Sequence, residues 1–355
     1  MRGRVILYGA SGYTGRMIAA QLDEVDELVV AGRNAAKVEA VAQPLDREWC
    51  SFDLSDRAET VFALSGADIL LNAAGPFDRT AMPLIDACLA TGTHYLDLGG
   101  EWPVFIDIMA RDEEARAAGI MLLPGVGLTI AATDCLLLRA VELWPDTAQL
   151  DLGVSRAQVV SRGSATSMSG LVAPTALICR DGELCEVPSG SLAKAFDFGE
   201  GMSEAVAMSW ADVVTGHFTT GVPNVTVYNE MRWHERATYR ATGLGMGFTG
   251  RNAFRAVGGL ITRTLREGPP EVARGSARFS MVVEALDPWR RPRLLRLETL
   301  DGYGASARIA EEVVRRVLAG ESQPGFNTPA RLMGSSLVET SGAGEFETLS
   351  GRSAA

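Results

Sequence analysis

The residues with the clearest chemistry stand at the start of the chain. Gly9 to Gly15 reads Gly-Ala-Ser-Gly-Tyr-Thr-Gly; it follows an apolar run, Val5 to Tyr8, and opens an amphipathic stretch. A strand, a glycine turn and a helix in that order make a dinucleotide-binding turn. Gly9 permits the tight bend, Gly12 lets a pyrophosphate approach the backbone, and Gly15 lets helix and strand pack closely. The amides of Ser11, Gly12, Tyr13 and Thr14 are expected to face the phosphates, assisted by the helix dipole. An ordinary glycine-rich turn without a ligand is the plainer reading, and the strand and helix around it weigh against that.

The next strand end separates the two nicotinamide cofactors. NAD-specific proteins place Asp or Glu there to bond the ribose 2′-hydroxyl. Here the strand ends Ala31-Gly32-Arg33-Asn34, and Lys37 follows one helical turn later. Two cations and no acid suit the 2′-phosphate of NADP(H), with Arg33 able to grip it through several N–H groups. Asp53 and Leu54, after the third strand, are candidates for the adenine. Ala73, Ala74, Gly75 and Pro76, after the fourth, are small enough to let the nicotinamide ribose come close.

Acid–base candidates come from two places. Tyr95, Asp97 and Glu101 lie at the end of the fifth strand, where ligands of open α/β sheets bind, and each could donate a proton or orient a substrate. Asp97 as a turn cap and Tyr95 as core are the bland alternatives. Farther on, His217, Tyr228 and the polar run Ser164 to Ser167 are the groups best able to line a cleft. His217 could act as a general acid, although a lone histidine is more often structural. Only two lysines occur, Lys37 and Lys194, so no Tyr-x-x-x-Lys dyad exists. No Gly-x-Ser-x-Gly elbow is present. Five scattered cysteines and three distant histidines give no metal-ligand spacing, so no metal is expected.

These side chains need an α/β frame. Short apolar runs at Val5–Tyr8, Leu28–Ala31, Ile69–Asn72, Tyr95–Leu98 and Ile120–Leu123, with a weaker one at Cys50–Leu54, read as strands buried on both faces. Helical patterns at Thr14–Leu22, Ala36–Ala42, Ala81–Ala90 and Val104–Ala118 separate them. Repeated βα units give parallel strands, hence an N-terminal Rossmann domain with a doubly wound sheet. After a helix at Thr129–Glu142, strand patterns at Leu150–Ser155, Thr226–Tyr228, Ala277–Ala285 and Leu294–Thr299 predict a second, α+β domain on an open mixed or antiparallel sheet. Residues near 157–225 read as loops with short helices. The expected division is 1–128 for the Rossmann domain, completed by 305–340 with its helix Ala307–Leu318; 129–304 for a substrate and dimerisation domain; and 341–355 for a disordered tail.

The bulk composition excludes several classes. A formal charge of −11 over 355 residues offers no reason to expect nucleic acid. The arginines of 251–266 read as a solvated helix face. Ile120–Leu138 is long enough to span a membrane, but Pro124, Gly125, Gly127 and Asp134 interrupt it, so no span is predicted. An odd number of cysteines and no leader-like segment point to a reducing cytoplasm.

Together, GASGYTG, AGRN, NAAGPF with ACLATGTHYLDLGGE, PGVGL with TDCL, HFTTGVPNVTVY, GPPEVAR and PGFNTPARLMG carry a resemblance across nearly the whole chain. It resembles the saccharopine dehydrogenase-like oxidoreductases, in particular the bacterial branch that includes the trans-acting enoyl reductases. The resemblance implies a Rossmann domain with an inserted domain on an open sheet, and a C-terminal helix returning to the first domain. It implies NADP(H)-linked hydride transfer to a C=O, C=N or C=C bond, with Gly9, Ser11, Gly12, Gly15, Arg33 and Gly75 at cofactor positions. Lysine-forming saccharopine dehydrogenases use a Lys/His pair that has no match here, so a secondary-metabolite or lipid-type small molecule is the expected substrate. A homodimer and a biosynthetic partner enzyme are implied by the same analogy. The competing expectation is a non-catalytic NADP-binding partner or regulator of another enzyme.

Overall fold

Val5, Ile6 and Leu7 are wholly buried because their strand sits inside a parallel sheet with helices on its faces. The structure is a computed structural model that describes residues 2–157, 174–243, 268, 274–275 and 277–349. Two compact units emerge: residues up to 131 with 303–343, and 132–302 with the segment from 344.

In the first unit the order is β1 (Arg4–Tyr8), α1 (Tyr13–Gln21), β2 (Glu27–Gly32), α2 (Ala35–Ala42), β3 (Glu48–Ser51), α3 (Arg57–Leu64), β4 (Ile69–Asn72), α4 (Phe77–Thr91), β5 (His94–Asp97), α5 (Trp102–Met109), α6 (Asp112–Ala118) and β6 (Met121–Leu123). The strands lie in the order β6-β5-β4-β1-β2-β3, all parallel, so their carboxyl ends share one edge. Two local expectations change. The helix expected over Val104–Ala118 is two, broken at Ala110–Arg111, where the Arg111 guanidinium turns to Glu114 and Asp86. Helix α3 went unread, although Asp56 caps it by accepting the Glu59 amide at 3.0 Å.

The chain leaves this unit through a π-turn at Leu128–Ala132, so the helix expected from Thr129 begins at α7 (Thr133–Leu143). The second unit continues with β7 (Gln149–Val154), β8 (Thr175–Arg180), β9 (Glu183–Pro188), β10 (Ala193–Asp197), β11 (Met202–Ala207), α8 (Asp212–Thr220), β12 (Val225–Glu230), α9 (Trp233–Gly243), β13 (Phe279–Leu286) and β14 (Pro292–Thr299). β7 and β12 run parallel and the remaining pairs antiparallel, a mixed sheet. Residues 174–207 are therefore strands, not the expected loops. Asp181-Gly182, both at positive φ, turns the β8–β9 hairpin, and the largely exposed β9 turns only Cys185 and Val187 to a part-buried face, a weak apolar signal.

After α10 (Gly302–Leu318), β15 (Gly325–Phe326) extends the parallel sheet beside β6, and α11 (Pro329–Met333) and α12 (Leu337–Thr340) follow. The tail expected to be disordered carries β16 (Gly344–Leu349), paired with β14 from Thr299 to Leu294. Its small polar composition hid a strand whose Phe346 and Leu349 are part-buried. Ser164–Ser167, 251–266 and 350–355 lie outside the described residues.

Candidate functional site

The glycine turn is built by close contacts. Gly9 has φ +88°, and a β-carbon there would meet the Ala74 nitrogen at 2.6 Å. The Gly9 amide donates to the Ala31 carbonyl at 2.9 Å, tying the turn to β2. Gly12 is exposed, and a β-carbon there would meet only the Gly9 oxygen, at 3.2 Å, leaving its outer side open to a ligand. Its amide, expected to face the phosphates, instead donates to the Gly9 carbonyl at 2.9 Å. The start of α1 carries the remaining amides of this stretch, and first-turn amides have no acceptor within a helix. Arg16, not singled out from sequence, donates to the Ser11 carbonyl at 2.7 Å and shapes the loop. These residues fit a pyrophosphate.

At the end of β2, Arg33 and Lys37 are exposed cations. Asn34 accepts the Lys37 amide at 3.0 Å as the cap of α2, so its side-chain oxygen serves the helix. Asp53 is exposed beyond β3. Its carboxyl is held below the usual range by the Ser55 amide and hydroxyl, with Arg33 adding to the effect. Tyr8, missed in the sequence, packs on Phe52 with ring centroids 4.9 Å apart. Burial raises its phenol to about 12, Asp53 adding and Arg33 opposing. Leu54 is part-buried beside them. Both rings are almost wholly buried, Tyr8 at 4% and Phe52 at 2% exposure.

The loop after β4 begins with the Ala73 amide on the Tyr8 carbonyl at 2.8 Å. Ala73, Ala74 and Pro76 are half-buried, Gly75 is exposed, and Gly75-Pro76 is cis. Tyr95 and Asp97 meet at 2.8 Å, hydroxyl to carboxylate, and neither has any exposure. Burial raises the Tyr95 phenol well above its ordinary range, and raises the Asp97 carboxyl to about 6. Glu101 is half-buried at the cap of α5 and accepts the Gly100 amide at 3.0 Å. His94, at the opposite end of β5, accepts the Met121 amide through Nδ1 at 3.0 Å.

The second-unit candidates are held by their own surroundings. His217 Nδ1 faces the Val222 carbonyl at 2.9 Å, next to the C-terminus of α8. Tyr228 is 7% exposed, with its ring 5.6 Å from that of Phe196; burial, then Asp151, raises its phenol. A cluster unread in the sequence lies nearby. Lys194 Nζ stands 2.5 Å from both Asp151 Oδ2 and Glu284 Oε1. Only the register of β7 and β13, which sets Asp151 opposite Glu284, brings those acids together. No group of three or more metal-ligating side chains occurs among the described residues.

The sheet, the turn and its cations define a Rossmann dinucleotide-binding domain. Residues 5–123 match the family model described as saccharopine dehydrogenase NADP binding domain. That stretch is such a domain, and the cofactor of its class is NADP(H). Among curated proteins, a trans-acting enoyl reductase of Mycobacterium leprae (strain TN) is 32% identical over 133 residues, 34% of this chain and 32% of that protein. Another, from Mycobacterium ulcerans (strain Agy99), is 34% identical over 105 residues, 27% of this chain and 25% of that protein. The matches thus take in about a quarter to a third of those relatives' length. Apo saccharopine dehydrogenase (L-Glu forming) from Saccharomyces cerevisiae superposes with a TM-score of 0.65 at 13% identity, covering 98% of this chain and 100% of that one. In fold and in its N-terminal domain the chain is saccharopine dehydrogenase-like. No described helix is long and apolar enough to cross a membrane.

Proposed function

We propose that the chain is an NADPH-dependent reductase of a small molecule other than saccharopine, acting on a C=O, C=N or C=C bond. The observation that carries this reading is the glycine turn beside two exposed cations, Arg33 and Lys37, inside an NADP-binding domain. Bound NADPH supplies the hydride. In this reading Ser11, Tyr13 and Thr14 hold the pyrophosphate, Gly12 leaves room for it and Gly15 packs the helix against the strand; Arg33 and Lys37 hold the 2′-phosphate, Tyr8, Asp53 and Leu54 the adenine end, and Ala73 to Pro76 the nicotinamide ribose. Glu101, half-buried at the loop after β5, is our candidate for proton exchange with the substrate. The names of the mycobacterial relatives support an enoyl substrate delivered by a partner enzyme. The second unit is assigned to substrate binding and to a homodimer through its sheet, and the five free thiols suit a reducing cytoplasm.

The test is reduction of candidate ketones, imines and enoyl thioesters by the purified chain with NADPH, followed at 340 nm. Turnover with any of them supports the reading. One observation favours a second reading, a non-catalytic NADP-binding partner: Tyr95 and Asp97 are wholly buried and bonded to each other. Tight NADPH binding with no turnover in any of the three substrate classes would select it.

A further inference from the structure

Three loops follow the carboxyl ends of β4, β5 and β6, and one buried hydrogen-bond chain joins them. Asp97 Oδ1 accepts the Gly99 amide at 2.8 Å and the Gly125 amide at 3.0 Å, and Oδ2 accepts the Tyr95 hydroxyl at 2.8 Å. The Asp97 carbonyl accepts the Val126 amide at 2.7 Å. The Tyr95 oxygen in turn accepts Asn72 Nδ2 at 3.3 Å. Asn72 Oδ1 takes the Ala74 amide at 3.0 Å, and the Asn72 carbonyl takes the Leu98 amide at 3.3 Å. Thr80 closes the chain, accepting from Asn72 Nδ2 at 3.1 Å and donating to the Ala74 carbonyl at 2.7 Å. Asn72, Tyr95 and Asp97 all have zero exposure.

The direction of the bonds decides what Asp97 does. Every partner is a donor to it, so the group works as an acceptor and has no surface from which to protonate a substrate. We propose that Asp97 is a positioning residue for the nicotinamide end of the cofactor, locking the loops at Ala74, Gly99 and Gly125 together only while it is a carboxylate. This rests on the NADP reading above. A proton on Oδ2 leaves the Tyr95 hydroxyl between two donors with no acceptor of its own. A proton on Oδ1 displaces one of the two glycine amides. Unmet buried donors are strongly disfavoured, so the loops separate.

The titration falls in a useful range. Burial lifts the carboxyl to about 6, Glu101 at the start of α5 adds to the lift, and the Gly125 amide, the Tyr95 hydroxyl and the Gly99 amide oppose it. Behind Tyr95, on α4, stands Cys88, whose thiol is itself raised by burial. The groups facing Asp97 are thus acids or neutral donors, and the change is from a connected network at pH 8 to a disconnected one near pH 5.

The test compares wild type with Asp97→Asn, which imitates the protonated state, by titration with NADPH and with adenosine 2′,5′-bisphosphate from pH 5 to 8.5. The ratio of the two proteins' NADPH affinities cancels the cofactor's own phosphate titration. The expected ratio is about tenfold at pH 8, the worth of roughly one buried hydrogen bond, closing toward one near pH 5. The bisphosphate, which lacks the nicotinamide end, is expected to bind both proteins equally. A ratio independent of pH, or parallel loss of the bisphosphate, would overturn the proposal. Tyr95→Phe removes a donor while leaving the carboxylate, and is expected to move the midpoint of the NADPH pH profile upward; an unmoved midpoint counts against it. A wild type that binds no NADPH at any pH sinks the functional reading itself, whereas NADPH binding with a flat ratio sinks this inference alone.

Discussion

Gly15 stands so close to Gly9 that a β-carbon on it would lie 2.4 Å from the Gly9 carbonyl oxygen and 2.8 Å from Ala10 Cα. Both neighbours are backbone, so neither can rotate away. The whole turn must open for any larger residue, and the start of α1 moves with it. Gly15→Ala is expected to lose about 1–3 kcal/mol of stability and most of the NADPH affinity. Urea unfolding and fluorescence titration measure the two. Near-normal binding in a folded variant would remove the turn from the cofactor site.

Arg33 offers a sharper discrimination because it is exposed and supports no described core contact. Its loss leaves the glycine turn intact and removes a guanidinium from the 2′-phosphate. Arg33→Ala is expected to weaken NADPH by about 10- to 100-fold, as a charge-assisted bidentate contact is worth roughly 1.5–3 kcal/mol. NADH, which lacks that phosphate, is expected to change little. Equal weakening of both cofactors would show that Arg33 does not read the phosphate.

The legible parts were those governed by local pattern. Val5–Tyr8, Leu28–Ala31 and Ile69–Asn72 are continuous apolar runs because both sheet faces are covered, and each forms a strand at nearly its expected bounds. The tight bend at Gly9 and the close packing at Gly15 were readable because they follow from spacing alone. Residues 183–188 were not, since a largely exposed strand carries only a weak apolar signal. Lys194, Asp151 and Glu284 are 43 to 133 residues apart in the chain, and only strand register unites them. Tyr95 and Asp97 were readable as residues of note. Tyr95 as core and Asp97 as a turn cap were among the readings, but the network that joins them to Asn72 and Gly125 was visible only in three dimensions.

The Lys194 cluster predicts a particular pattern of stability. Asp151 and Glu284 have side chains 4% and 7% exposed, and one ammonium serves both. Removing it leaves two buried carboxylates without their cation, while Gln149 still donates to Asp151 at 3.0 Å. Lys194→Met is expected to cost about 3–5 kcal/mol, whereas adding Asp151→Asn and Glu284→Gln should recover most of that, because the fully neutral set leaves no unpaired charge. Urea unfolding of wild type, Lys194→Met and the triple variant checks this. A triple variant no more stable than Lys194→Met alone would show that the lysine contributes chiefly by packing, where its ammonium lies 5.8 Å from the Phe196 ring centre.

Asp212 gives the opposite sign of charge effect, between α7 and α8. Two reciprocal bonds link these helices: Thr133 donates to Asp212, and Thr219 donates to Asp134 at 2.5 Å. Asp212 is 1% exposed, and burial raises its carboxyl to about 7, with Thr133 opposing and Asp134 adding. A carboxyl whose folded value exceeds its unfolded one binds a proton more tightly when folded. Its contribution to stability is therefore complete below about pH 4 and is lost progressively as pH rises to about 7. Asn cannot ionise, yet its amide oxygen still accepts from Thr133. Asp212→Asn should therefore leave stability almost unchanged at pH 4 and raise it by on the order of 1–3 kcal/mol at pH 8. Thermal melts of both proteins across that range give the difference directly. A gain that is the same at every pH would mean that the carboxylate is not the titrating group, and that its pairing with Thr133 survives ionisation without penalty.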